Sequence, residues 1–222
     1  MLVHSSDIRH TFDMASLAPQ PKMYEARVIA PGITYIERFV LDPDEALRDA
    51  IDQIQFQQRT CRVYGRSHRV PRKEAWFGPR SYTFSGMTFP PAEMPPIIRA
   101  LEVGTSIFLG GGFEFEHCLA NMYKDGSDTV GWHSDDEPEM ADPLIASISL
   151  GAPRDFLLRR KEPCSKYTLQ LNPQLKNRAK VTLAHGSLLV MAKGTQDVWE
   201  HSLPRRKRCS EMRVNLTYRT RL

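Results

Sequence analysis

No stretch of this 222-residue chain reaches 18 consecutive apolar residues, so a helical membrane span is not expected. Cysteine is sparse. Cys61, Cys118, Cys164 and Cys209 stand apart, without the paired spacing of a zinc site or a disulfide framework. The opening Met1-Leu2-Val3-His4-Ser5-Ser6-Asp7 lacks the basic-then-apolar build of a signal peptide. These absences predict an intracellular protein with reduced thiols, cytoplasmic in a bacterium or nuclear in a eukaryote. Internal repeats and low-complexity segments are also missing, which argues against a solenoid or a disordered chain.

What is present is the composition of a soluble globular protein, 41% hydrophobic and 25% charged. The length suits one domain with a substantial core. Residues 1–23, with weak periodicity and Pro19-Gln20-Pro21, read as a loosely held arm before a domain over 24–222. The net charge of +4 is modest but unevenly spread. Residues 59–80 hold seven Lys or Arg against one acid, 154–180 hold eight against two, and 205–222 hold seven against one. Each run carries a local +6, leaving −14 for the rest of the chain. Segregation of this kind marks a face that binds polyanions.

Along the chain, residues 27–40 read as strands broken at Pro31-Gly32. Asp42-Pro43-Asp44-Glu45 supplies an N-cap, an early proline and first-turn acids. It opens an amphipathic helix with Ala46, Leu47, Ala50, Ile51 and Ile54 on one stripe. Residues 59–80, interrupted by Pro71 and Gly78, read as loops and short strands, and Ile97 to Leu109 as a second helix ending at Gly110-Gly111-Gly112. Strand signals follow. Phe113, Phe115, His117, Leu119, Asn121 and Tyr123 share one face at period two. Residues 145–150 and 155–160 read as core and edge strands, and 186–191 and 212–218 as two more. Helices first and strands afterwards predict an α+β, mainly β, sandwich or barrel.

The chemistry concentrates at Gly131-Trp132-His133-Ser134-Asp135 and, far downstream, Trp199-Glu200-His201. In a strand, His133 and Asp135 point to one face. With His201 they offer two imidazoles and one carboxylate to a metal that keeps other positions open, the pattern of non-haem Fe(II) oxygenases. The segment Arg213-Val214-Asn215-Leu216-Thr217-Tyr218-Arg219 places Arg213, Asn215, Thr217 and Arg219 on one face. Two inward guanidiniums need anionic partners, because buried charge without one is prohibitively costly. A dicarboxylate ligand satisfies both.

The motifs Asn121-Met122-Tyr123-Lys124-Asp125-Gly126, Trp132 to Glu137, Ala184 to Leu189, Trp199 to Pro204 and Arg213 to Arg219 occur here in order. In this the chain resembles the AlkB-like dioxygenases, over residues 24 to 222, closest in pattern to the second and third vertebrate homologues and their bacterial relatives. The resemblance implies a double-stranded β-helix (jelly roll) with flanking helices. It implies Fe(II), 2-oxoglutarate and O₂ as cofactors, and oxidative demethylation of alkylated bases in DNA, or also RNA, with release of succinate and formaldehyde. On it, His133, Asp135 and His201 are the Fe(II) ligands. Arg213, with Asn215 and Tyr123, holds the far carboxylate, and Arg219 and Asn121 serve the end near the metal. Thr217 completes the cofactor set.

For the substrate, the resemblance implies a nucleotide-recognition segment over 59–80. Tyr64, with Gly65 and Arg66, stands where a hairpin wedges into duplex DNA. Trp76, Phe77 and Gly78 line the pocket for the flipped base, and Asp136 and Glu137 contact it. Core packing is the competing reading for Trp76 and Phe77, and an acidic turn for Asp136 and Glu137. Single- and double-stranded DNA both stay open as partners, and a monomer is expected. The rival functions are a nucleic-acid-binding module without catalysis, an oxygenase acting on protein or lipid, and a zinc hydrolase, which gives Arg213 and Arg219 no role.

Overall fold

A computed structural model describes residues 24–63, 66–84, 87–136, 143–163, 165–166, 170 and 176–220. The expected arm over 1–23, and Tyr64, Gly65 and Glu137, lie outside the described residues.

Strands β1 (Ala26–Ala30) and β2 (Ile33–Ile36) turn about Gly32, in the left-handed region at φ 76°. Helix α1 (Pro43–Gln53) follows, and the Asp42 side chain accepts the Glu45 amide at 2.9 Å, as its cap sequence predicts. A hairpin of β3 (Gln57–Val63) and β4 (Arg66–Phe77) replaces the loops expected over 59–80. Pro71 does not break β4, because the register shifts between Gln58 and Thr60 opposite it. The Gln58 side-chain amide donates to the Val70 and Arg72 carbonyls at 2.6 and 3.0 Å, serving the ladder where proline has no N–H. Then come β5 (Tyr82–Phe84), β6 (Met87–Phe89) and α2 (Pro96–Phe108).

The remaining strands are β7 (Phe115–Tyr123), β8 (Val130–His133), β9 (Ile145–Gly151), β10 (Arg154–Arg160), β11 (Arg178–Leu183) and β12 (Ser187–Met191). A short turn of helix, α3 (Thr195–Val198), leads into β13 (Trp199–Leu203), and β14 (Arg213–Thr220) closes the described fold. The order β1-β2-β12-β9-β14-β7-β4-β3 forms a major sheet and β11-β10-β13-β8 a minor one. Every strand pairing among the described residues is antiparallel. This is the jelly roll that the sequence led us to expect. Residues 154–160 form an inner strand of the minor sheet rather than an edge, since β11 and β13 flank them.

The period-two pattern sorts each central strand into two faces. Val214, Leu216 and Tyr218 of β14, with Ala146, Ile148 and Leu150 of β9, join Ala46, Ala50, Ile97 and Ile98 in a core beneath the helices. The Tyr218 hydroxyl donates to the Ile98 carbonyl at 2.9 Å and ties β14 to α2. On the opposite face, Tyr35, Ile145, Leu189 and Met191 meet Leu158, Val181, Leu183 and Trp199 of the minor sheet. The face expected to unite Phe113 through Tyr123 is split by a register shift on β7 opposite Arg219 and Thr220. Phe115 therefore joins the helix-side core, while Leu119, Asn121 and Tyr123 turn to the space between the sheets.

Gly151 ends β9 opposite Arg213, at φ 87°. A Cβ there would lie 2.5 Å from the Met212 carbonyl oxygen. Gly151→Ala combines left-handed backbone with a backbone clash, and should destabilise the fold by about 1–3 kcal/mol or more. A urea or thermal unfolding curve checks this, and a midpoint equal to wild type contradicts it.

Candidate active site

Between the two sheets, side chains of β4, β7, β9, β12 and β14 face side chains of β8, β10, β11 and β13 across one cavity. His133, the last residue of β8, is the register partner of His201 on β13, so strand pairing alone brings two imidazoles distant in sequence together. Their rings lie 4.3 Å apart. Asp135 follows just beyond β8. The Gln196 side chain accepts its backbone N–H at 3.0 Å, and the Ser134 hydroxyl donates to the Trp199 carbonyl at 3.2 Å. The α3 and β13 segment thus fixes the turn that carries the carboxylate.

His133 Nε2 and His201 Nε2 lie 3.5 and 3.7 Å from Asp135 Oδ1. One ligand atom from each residue falls within 4.8 Å of the others. Metal–ligand bonds of about 2.0–2.2 Å close over a triangle of this size. The outer contacts leave these atoms available: His133 Nδ1 sits 2.9 Å from the Gly131 carbonyl, and Asp135 gives its other oxygen, Oδ2, to Arg219 Nη2 at 2.9 Å. Phe156 stacks on the His201 ring at 5.1 Å.

The electrostatics suit a cation. Burial lowers His201 to about 4, against the pull of Asp135, so its imidazole is neutral at pH 7. Burial alone would raise the Asp135 carboxyl, but the Arg219 charge and the two histidines hold it well below the usual carboxylate range. For His133, burial is outweighed by the hydrogen bond and charge of Asp135, and its value rises. A neutral imidazole and an ionised carboxylate are the ligand forms a divalent metal requires.

Beyond the metal ligands, β14 directs Arg213, Asn215, Thr217 and Arg219 into the same cavity. Arg213 is 2% exposed and gives one Nη2 hydrogen bond to Ser149 Oγ at 2.9 Å. Its guanidinium also lies 5.2 Å from the Tyr123 ring centre. Its Nε and Nη1 are buried with no partner among the described residues. Burial lowers Arg213 only to about 10, so it stays a cation at neutral pH. A buried cation with N–H groups to spare, lining the cavity that holds the metal ligands, fits one end of a dicarboxylate. Asn215 faces the cavity too, but its amide donates to Ser147 Oγ and the Ile148 carbonyl at 2.8 and 2.9 Å. In this structure it clamps β14 to β9. Thr217 Oγ1 donates to Asn215 Oδ1 at 3.4 Å.

Asn121 is oriented by a residue that sequence reading passed over. Arg72 Nε donates to Asn121 Oδ1 at 2.8 Å, and Arg72 Nη2 pairs with Glu74 at 2.6 Å, both side chains buried. The amide is thereby fixed with its NH₂ as the remaining donor. Tyr82 and Leu119 complete this wall. Arg154 was missed as well. It is 1% exposed, and it donates to the Asp125, Asp128 and Pro204 carbonyls at 3.1, 2.8 and 2.8 Å, tying the loop after β7 to the end of β13. The signal for both was an arginine at an inward period-two position.

The expected base-pocket residues divide. Trp76 is covered on its faces by Tyr82, stacked at 4.2 Å, and His117, at 5.1 Å. Phe77 is buried in the helix-side core. Gly78 leaves no room for a side chain, since a Cβ would lie 2.4 Å from His117 Nδ1. For these three, packing is the role that the described contacts support. Arg66 is exposed on the hairpin. Asp136 is exposed beside the metal ligands and pairs with Lys161 at 2.8 Å.

The chain matches the 2OG-Fe(II) oxygenase superfamily over residues 32–219. It is 33% identical over 237 residues to human alpha-ketoglutarate-dependent dioxygenase alkB homolog 3, covering 98% of this chain and 80% of that protein. It is 43% identical over 160 residues to bovine DNA oxidative demethylase ALKBH2, covering 71% of this chain and 55% of that one. The solved structure of OsALKBH1 superposes with a TM-score of 0.54 at 17% identity, over 89% of this chain and 100% of that chain, a likeness of fold. With the metal triad, the cavity cation and the jelly roll, this likeness places the chain in the AlkB-like branch of the 2OG-Fe(II) oxygenase superfamily, as an Fe(II)- and 2-oxoglutarate-dependent dioxygenase.

Proposed function

We propose that this dioxygenase removes N-linked alkyl groups from bases of DNA, and also of RNA, by oxidative demethylation. The observation that carries the reading is one cavity holding His133, Asp135 and His201 together with the buried Arg213 cation. The relatives named DNA oxidative demethylase and alkB homolog 3 support nucleic acid as the substrate. So do the exposed cations Arg66, Arg69, Lys73 and Arg80 on and beside the β3–β4 hairpin, and the run Arg205 to Arg208.

In this reading His133, Asp135 and His201 hold Fe(II), and the Arg213 guanidinium binds the distal carboxylate of 2-oxoglutarate. Asn121, locked by Arg72, donates to the end near the metal. The chemistry supplied there would be oxidative decarboxylation of 2-oxoglutarate to succinate and carbon dioxide by O₂, one oxygen atom going to succinate and the other hydroxylating an N-methyl carbon. The N-hydroxymethyl product then breaks its C–N bond, releasing formaldehyde and the restored base. Arg219 keeps Asp135 ionised and aimed throughout. Tyr82, backed by Trp76, presents an aromatic wall on the substrate side, and a base leaves its stack to reach it. Asp136 accepts from the base once it releases Lys161, and Glu137 is the second contact of this reading. Tyr64 and Gly65, which lie between β3 and β4 in sequence, serve in this reading the gap that the base leaves behind.

Asp135→Ala should abolish formaldehyde release from oligonucleotides carrying 1-methyladenine or 3-methylcytosine. It should also remove the thermal stabilisation by Mn(II) that the wild type shows. Turnover in this variant would contradict the ligand assignment, and a wild type active on 2-oxoglutarate alone but on no methylated base would contradict the substrate. Arg213→Ala should weaken 2-oxoglutarate binding to the Mn(II)-loaded protein by roughly tenfold to a hundredfold, the loss of about 1.5–3 kcal/mol for a hydrogen bond to a charged group. Calorimetric titration measures it, and an unchanged affinity would mean that Arg213 does not hold the carboxylate.

A further inference from the structure

The minor sheet turns one face to the cavity and the other outward, and the outward face carries a row of side chains that the chemistry at the metal does not use. Because His133 and His201 point inward, Trp132 and Glu200 point outward. Register places Glu200 beside Arg159 on β10, and Arg159 beside Arg178 on β11. The row therefore runs Arg178, Arg159, Glu200 across the sheet, and Trp132, one residue before the His133–His201 pair on the edge strand, lies diagonally from it. Trp132 is 40% exposed, although tryptophan is costly to leave in water. The Arg159 guanidinium lies 4.4 Å from its ring centre, and Arg159 Nε is held by Glu200 at 2.6 Å.

Four cations stand here against three carboxylates, each of which is ion-paired, and Arg178 is the cation left over. Arg159 and Arg178 face each other across the strands, an arrangement of like charge that destabilises a sheet unless an anion lies over it. Lys161 and Lys180 lie beside the row, Lys161 paired with Asp136 at 2.8 Å. Asp155 and Glu200 are already paired, with Lys180 at 2.9 Å and Arg159 at 2.6 Å. An exposed indole, braced by a guanidinium and set in a cationic face, is how proteins bind unpaired nucleotides: aromatic rings stack on bases and cations follow the backbone. A duplex offers neither base face to such a ring, because its neighbours cover both. Trp132 directly precedes His133 on the edge strand β8, so the outer face and the cavity meet at that edge of the minor sheet.

We propose that the outer face of the minor sheet is a track for single-stranded nucleic acid, in which Trp132 stacks on a base flanking the target and Arg159 and Arg178 bind its phosphates. This rests on the nucleic-acid reading above and adds a strand preference to it.

The test is fluorescence anisotropy of the full chain with an undamaged, labelled oligothymidine and with a blunt duplex of equal length. Trp132→Ala should weaken single-strand binding roughly fivefold to a hundredfold, and Trp132→Phe should restore most of it. Duplex binding should stay as in wild type. Arg159→Gln should lower the salt dependence of single-strand binding by about one phosphate contact. Stabilisation by Mn(II) should persist in each variant, since the metal ligands are intact. Unchanged single-strand affinity in Trp132→Ala, or equal losses on both substrates, overturns the track and leaves the demethylase reading standing. A wild type that binds neither oligonucleotide overturns the nucleic-acid reading and the track with it.

Discussion

The ion pair between Asp135 and Arg219 is the constraint on which the site depends. One partner belongs to the turn after the minor sheet's edge strand and the other to the middle of the major sheet, 84 residues apart in sequence. Both are buried, at 7% and 1% exposure, and such a pair is strongly destabilising only when one member is removed. Because Arg219 takes Oδ2, the other oxygen is left to face the two imidazoles. The carboxylate is thus ionised, aimed and tied to the opposite sheet by one contact, and the metal triangle needs no further adjustment of the backbone.

The same strand shows how a sandwich divides labour by parity. On β14, Val214, Leu216 and Tyr218 hold the major sheet to the helices, and Arg213, Asn215, Thr217 and Arg219 build the cavity. Asn215, Thr217 and Arg219 on that second face each have a partner on a neighbouring strand or across the cavity, while Arg213 Nε and Nη1 are buried with no partner among the described residues. A cation buried in this way is expensive in the empty protein, and the expense is recovered when a carboxylate enters. The cavity is built for an anionic ligand at one end and a divalent cation at the other.

Much of this was legible in the sequence because it is local. The Asp42 cap, the turn at Gly32 and the β14 alternation each need only a few neighbouring residues to be read, and each appears as expected, whereas Asp135 reaches His133 from the turn after β8 rather than by strand parity. What sequence could not supply depended on register. Pro71 suggests a break, yet the Gln58 amide bridges it and β4 runs on to carry Arg72 and Glu74. A shift in β7 moves Phe115 from one face to the other. The strands at 178–183 and 199–203 are short and charged, so their place in the minor sheet emerges only from pairing. Trp76 illustrates the limit: an aromatic near a presumed base pocket reads the same whether it lines the pocket or backs the residue that does. Tyr82, stacked against it, is the ring that reaches the cavity.

The central claim is that one cavity between the sheets holds the metal and the dicarboxylate together. The most direct test is a crystal structure of the protein grown anaerobically with Mn(II) and 2-oxoglutarate. The account predicts a metal bound by His133 Nε2, Asp135 Oδ1 and His201 Nε2, with the distal carboxylate on the Arg213 guanidinium and the Asp135–Arg219 pair unbroken. A dicarboxylate bound away from Arg213, or a metal held by any other set of residues, would contradict it.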